Sequence, residues 1–163
     1  MSDDLDRLSA EVGVALQARR MMLVTAESCT GGGIGEAITR TAGSSGWFER
    51  GFITYTNQAK QEMLGVRAET LDAFGAVSEQ TAREMALGAL CASHAHTAVS
   101  VTGIAGPGGA APGKPEGLVC FCWASKGYLK TETCNFSGGR ADVRRQAIIH
   151  ALRGIIQLSA NTP

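Results

Sequence analysis

The chain has 163 residues, 44% of them hydrophobic and 18% charged, enough to bury a core without disulfide or metal staples and too apolar for general disorder. Lys and Arg total 15, Asp and Glu total 15, and the net charge is +0. That balance argues against nucleic acid as a partner, because neutralising phosphates supplies most of the affinity of such binders.

Leu5, Leu8, Val12, Ala15 and Leu16 recur at helical spacing, so residues 3–20 read as an amphipathic helix. Asp3, Asp4 and Asp6 fall in its first turn and Arg19 and Arg20 in its last, as the helix dipole favours. The apolar run 21–26 reads as a buried strand, and Thr30-Gly31-Gly32-Gly33-Ile34-Gly35 opens a second helix that ends near Gly43. A strand at 52–55 leads into a helix over 57–64. Ser78 caps a long helix reaching about His94. A strand over 98–101 runs into a Gly- and Pro-rich loop from Gly103 to Gly117. Strands over 118–124 and 128–136 flank the turn Ser125-Lys126-Gly127 as a hairpin, and a helix over 141–158 ends the series. Helices alternating with strands, then a hairpin, predict one α/β domain over 1–163, its mixed sheet covered by helices on both faces.

The cysteines, Cys29, Cys91, Cys120, Cys122 and Cys134, are odd in number and show no C-x-x-C spacing, which fits reduced thiols in a cytoplasmic protein. The acidic, amphipathic N-terminus does not suit a signal peptide. No apolar stretch is long enough to span a bilayer, so no membrane partner is expected. No histidines or cysteines sit at ligand spacing with a carboxylate partner, so neither metal nor cofactor is expected.

The most informative segment is Thr25-Ala26-Glu27-Ser28-Cys29-Thr30-Gly31-Gly32, where a strand gives way to a glycine-rich helix start. A serine at such a corner is placed as a nucleophile, with backbone N–H groups nearby to hold an oxyanion or a phosphate. The alternative is that Ser28 or Thr30 is a plain N-cap. A serine needs a base, and His94, His96 and His150 sit on helices or at helix ends, where packing or surface roles suffice. Lys60, following Thr54-Tyr55-x-Asn57 at a strand end, can serve once burial lowers its pKa, with Tyr55 sharing proton transfer; otherwise it is an exposed helix lysine. Thr102-Gly103-Ile104-Ala105-Gly106 repeats the strand-end grammar, as a ligand loop or a surface connection. Arg140 and Arg144 near a helix start suggest an anion, or simple solvation. Cys29 is a weaker nucleophile candidate without a placed histidine.

Taken together, TAESCTGG (25–32), SSGWF (44–48), GFITYTNQAK (51–60), GAVSE (75–79), GIAGP (103–107), KPEG (114–117) and FSGGRADVRRQA (136–147) resemble the C-terminal domain of the competence-damage protein CinA, over nearly the whole chain. The resemblance implies a three-layer α/β/α sandwich and hydrolysis of the carboxamide of nicotinamide mononucleotide to nicotinic acid mononucleotide and ammonia. It implies a metal-free Ser/Lys pair, with the nucleophile on Ser28, the base on Lys60 and supporting hydroxyls on Ser45, Tyr55 and Thr102. Thr30, Gly31, Gly32, Gly103 and Gly106 are then expected to bind substrate, and Arg140 and Arg144 to hold its phosphate. Longer family members carry an extra N-terminal domain, whose activity is expected to be absent here. Two other readings stay open: a nucleotide-binding module without chemistry, and an interaction protein of competence or DNA-damage responses. Apolar positions left exposed on the first helix suit a homodimer.

Overall fold

In the computed structural model, which describes residues 4–162, the elements run α1 (Asp4–Ala18), β1 (Leu23–Glu27), α2 (Gly33–Ile38), β2 (Phe48–Ile53), α3 (Asn57–Leu64), α4 (Ala68–Phe74), α5 (Glu79–Cys91), β3 (Thr97–Gly103), β4 (Leu118–Ser125), β5 (Tyr128–Asn135) and α6 (Arg140–Asn161). A 3₁₀ turn at Ser44–Gly46 precedes β2. The strands form one mixed sheet in the order β2-β1-β3-β4-β5, parallel from β2 to β3 and antiparallel from β3 to β5.

The two-residue period of a strand splits the sheet's side chains between two cores. Leu23, Val99, Val101, Val119, Phe121 and Trp123 face one side, where α1, α2 and α6 cover them with Leu8, Val12, Ile34, Ala147, Leu152 and Ile155. Val24, Ala26, Ala98, Cys120, Cys122 and Ala124 face the other, under α3, α4 and α5. The result is the three-layer α/β/α sandwich with a mixed sheet that the element order and the resemblance imply. β1 and β3 are neighbours from which the chain leaves in opposite directions, toward β2 and toward β4. Open α/β sheets place their ligands outside the carboxyl ends of such strands.

Several boundaries differ from the sequence expectations. The first helix stops at Ala18, and Arg20 takes a positive φ of 54°; Asp3, the expected start, lies outside the described residues. The second helix is only Gly33–Ile38. Strand β2 begins at Phe48, earlier than expected, because Glu49, Arg50 and Gly51 on this half-exposed edge strand carry no apolar alternation. Helix α4 was not expected; it buries only Thr70 and Leu71, too few positions to show a period. Ser78 caps α5 as expected, accepting from the Thr81 amide at 3.1 Å. Among the described residues no helix is long and apolar enough to cross a membrane.

On the second face α5 presents Ala82, Ala86 and Ala89 to the sheet, and its Gly88 passes so near α3 that a Cβ there would lie 1.8 Å from the Leu64 carbonyl oxygen. Backbone cannot move aside as a side chain can. Gly88→Ala is therefore expected to destabilise by roughly 1–3 kcal/mol, against the ~1 kcal/mol gain that alanine normally brings to a helix interior. The shift of the denaturant midpoint reads the sign directly.

Candidate active site

β1 ends at Glu27, whose carboxylate is 2% exposed and must find partners inside the protein. It accepts from the Thr30 hydroxyl at 2.6 Å and from the Ile34 and Gly35 amides at 2.9 and 3.0 Å. These are amides of the first turn of α2, so Glu27, at the end of the preceding strand, does what an N-cap side chain usually does. The N-cap itself is Gly32, at φ 100°, which leaves no side chain there. The turn is also pinned by its main chain: the Ser28 amide donates to Val101 O at 3.0 Å, and the Thr54 amide to Glu27 O at 2.8 Å. Ser28 thus stands at the carboxyl ends of β1 and β3, buried but reachable at 7% exposure.

Lys60 comes to it from α3, a helix whose N-cap Thr56 accepts from the Ala59 amide at 3.1 Å. The lysine is 1% exposed and makes no ion pair among the described residues. Its Nζ lies 2.9 Å from Ser28 Oγ, 2.9 Å from Thr54 O and 3.3 Å from Tyr55 O. Burial lowers its pKa from 10.5 to about 8, because the charged form is the one that loses solvation. A neutral amine has two hydrogens and one lone pair. With the two carbonyls taking the hydrogens, the lone pair faces the Ser28 hydroxyl.

Above the pair lies a pocket of about 180 Å³, walled by Tyr55, Asn57, Ala76, Val77, Thr102, Gly103, Ala105 and Arg140. It is small beside typical ligand clefts of ~300–1,000 Å³, so it suits the reacting end of a molecule rather than the whole. Arg140 crosses its rim, donating to the Tyr55 hydroxyl and to Gly106 O, each at 2.8 Å. A larger cavity of about 730 Å³ lies between α3 and α5 near Met63, Leu87 and Cys91, but it holds no nucleophile–base pair.

The structure brings together Ser28, Lys60, Tyr55, Thr102, Gly103 and Arg140. It does not bring the other expected site residues into the pocket. Ser45 sits exposed in the 3₁₀ turn before β2, at the end of the sheet where β2 meets Leu23, opposite Ser28. Thr30 is fully buried, with its hydroxyl engaged by Glu27. Gly31 and Gly32, at φ 58° and 100°, shape the turn. Gly106 contributes a carbonyl to Arg140. Arg144 turns inward to the carbonyls of Cys29 and Thr30, each at 3.2 Å, so it buttresses the nucleophile turn and leaves the rim to Arg140. Even Thr102 commits its hydroxyl, to Ala76 O at 2.8 Å. Cys29 is buried and its thiol is pushed up to about 12, mainly by burial, which removes the thiolate a nucleophile needs. None of the histidines lines the pocket.

Sequence reasoning missed Glu27 and Asn57. A carboxylate inside an otherwise uncharged buried strand is the signal for the first, since burial demands partners. Asn57 opens α3 three residues before Lys60, on the same helix face.

Known proteins give the same picture of the fold. The model of the CinA C-terminal domain matches residues 5–159. The Escherichia coli K12 protein named nicotinamide-nucleotide amidohydrolase PncC is 54% identical over 155 residues, 94% of each chain. The Pseudomonas putida protein of the same name is 46% identical over 156 residues, 96% of this chain and 98% of its own. The crystal structure of a competence/damage inducible protein from Agrobacterium tumefaciens superposes with a TM-score of 0.94 at 46% identity, covering 97% of both chains. With its motifs, its sandwich and nearly its whole length matched, this chain belongs to the CinA C-terminal domain family.

Proposed function

We propose that the protein hydrolyses the carboxamide of nicotinamide mononucleotide, releasing ammonia, through an acyl-enzyme on Ser28. The observation that carries this is the 2.9 Å contact between Ser28 Oγ and the buried, unpaired amine of Lys60. A module that only binds gains nothing from an ammonium held out of water, and the desolvation works against the fold. The choice of amide follows the relatives named as nicotinamide-nucleotide amidohydrolases.

Neutral Lys60 takes the hydroxyl proton as Ser28 Oγ attacks the amide carbon. The oxyanion needs donors that are not already spent. The Gly31 and Gly33 amides bond to Ser28 O and Thr30 O, and those of Ile34 and Gly35 bond to Glu27. That leaves the Cys29, Thr30 and Gly32 amides, which have no main-chain acceptor among the described residues; the first two directly follow the nucleophile, and the Cys29 N–H faces only its own sulfur. Such donors contribute roughly 2.7–4 kcal/mol each to the transition state. The C–N bond breaks as the Lys60 ammonium returns its proton to the leaving nitrogen. Water, deprotonated by the same amine, then hydrolyses the ester and restores Ser28. The pocket takes the ring and its amide, so ribose and phosphate extend past the rim, where Arg140 meets the phosphate. Tyr55 serves through its carbonyl, which positions Lys60, and its hydroxyl, which orients Arg140.

Ser28→Ala and Lys60→Ala are each expected to cut ammonia release from nicotinamide mononucleotide by at least ~10³-fold; near-normal turnover in either overturns the pair. Because only the neutral amine is a base and its pKa is near 8, kcat/KM should rise about tenfold per pH unit below that value and level off above it. The same group shapes stability. Between pH 8 and 10.5 the unfolded chain holds the lysine proton and the folded chain does not, so stability rises with pH across that window. The rise, on the order of 3 kcal/mol, should vanish in Lys60→Met when denaturant midpoints are compared across pH. Arg140→Ala should raise KM far more than it lowers kcat, and narrow the preference for the mononucleotide over nicotinamide riboside.

A further inference from the structure

Sequence spacing offers no set of metal ligands, yet the packing of β5 against α6 makes one. Glu132 and Cys134 are two residues apart on β5 and so share the face turned toward α6. His150, near the middle of α6, comes down onto them. One ligand atom from each of the three lies within 4.8 Å of the others. We propose that Glu132, Cys134 and His150 form a site for a thiophilic divalent cation of the zinc class, separate from the amide-hydrolysing pocket.

Geometry and chemistry both support the assignment. Cys134 Sγ and His150 Nε2 are 3.5 Å apart. Zn–S and Zn–N bonds of about 2.3 and 2.0–2.1 Å at a tetrahedral angle put sulfur and nitrogen about 3.6 Å apart, so this edge of the polyhedron is already set. His150 Nε2 and Glu132 Oε1 are 2.5 Å apart, with a proton between them. A cation in its place spreads that edge to about 3.4 Å, a small rotation for a half-exposed glutamate. On loading, the thiol proton leaves to solvent, the proton shared by His150 Nε2 and Glu132 is displaced, and the neutral imidazole holds its one proton on Nδ1, so sulfur, nitrogen and oxygen each present a lone pair. One thiolate and one carboxylate then neutralise the ion, with the fourth position open to water. The imidazole is not free to turn: Phe121, Trp123 and Phe136 surround it with ring centroids at 4.8, 5.7 and 6.1 Å. This fixed orientation distinguishes a ligand from a mobile surface histidine. Lys130, next on the same strand face, is drawn aside over the Trp123 ring at 5.8 Å.

The site also has a structural logic. α6 packs mainly on α1, α2, β3 and β4, so a cation here staples it to the edge strand β5. His150 lies six residues beyond Arg144 and ten beyond Arg140, about 9 and 15 Å along the helix at ~1.5 Å per residue. The cation would therefore brace the helix that carries both arginines without touching the amide chemistry.

The test uses the full chain stripped with a chelator and dialysed. Zn²⁺ is titrated against a chromophoric chelator of micromolar affinity, and Co²⁺ is substituted to read thiolate-to-cobalt charge transfer. One equivalent of zinc and a charge-transfer band are expected. Cys134→Ser should abolish the band and weaken zinc at least ~10-fold, His150→Gln and Glu132→Gln should weaken it comparably, and Cys91→Ser, at an exposed thiol outside the cluster, should change neither. Cys134→Ser alters one partly exposed atom and decides the matter even if His150→Gln, set among aromatics, fails to fold. Failure of the wild-type chain to compete for zinc, or equal binding by Cys134→Ser, overturns the proposal. Ammonia release is measured separately, so loss of the zinc site and loss of the amidase reading are distinct results.

Discussion

An amine buried without a counter-ion governs this structure. Lys60 costs the fold free energy in its charged form, and three oxygens arranged around its nitrogen are what make that burial tolerable. Two are main-chain carbonyls just past the end of β2, where the Thr54 amide bonds to Glu27 O; the third is the Ser28 hydroxyl, fixed by the turn after β1. The distance between serine and lysine is therefore set by backbone hydrogen bonds rather than by side-chain packing alone. A near-attack arrangement held this way requires little reorganisation when a substrate arrives.

The neighbouring carboxylate shows how the arrangement is protected. Glu27 directly precedes Ser28, and a free carboxylate there would stabilise the ammonium and make Lys60 a poor base near neutral pH. Instead its oxygens are occupied by Thr30 and by two amides at the start of α2. Its negative charge is directed into the positive end of a helix dipole. The glycines beside it make this possible: with Gly32 in a left-handed conformation and no side chain at the N-cap, the chain turns back tightly enough for Glu27 to reach. The lowered pKa of Lys60 is a product of burial, and among the described residues no carboxylate sits on its amine to oppose it.

The layers of the fold were legible because β1, β3 and β4 are short, mostly apolar runs buried on both faces and α1, α5 and α6 carry clear helical periods. Edge strand β2 and helix α4 were obscure for the same reason inverted, since each buries too little to leave a pattern. At the site, Ser28 and Lys60 could be picked out as a strand-end hydroxyl and a strand-end lysine, and the motif resemblance joined them. The division of labour among the rest was not readable. Arg140 and Arg144 are one helical turn apart and look equivalent in sequence, yet one lies across the pocket rim and the other bonds the turn carbonyls. Ser45 belongs to a recognisable motif block, but the parallel pairing of β2 with β1 carries it to the far end of the sheet. Convergence of Glu132 and Cys134 with His150 depends on how α6 crosses the sheet, which no local spacing encodes.

The pocket walls and the reacting pair have different origins in the chain. Ser28 and Lys60 are held by strand ends and their hydrogen-bonded carbonyls, whereas Ala76, Val77 and Ala105 come from connecting loops packed onto the two cores. A change in wall shape therefore need not disturb the distance between nucleophile and base. Selection acting on which amide is accepted can remodel those small side chains one at a time, and a lineage can explore new substrates while its bond-breaking apparatus stays in register.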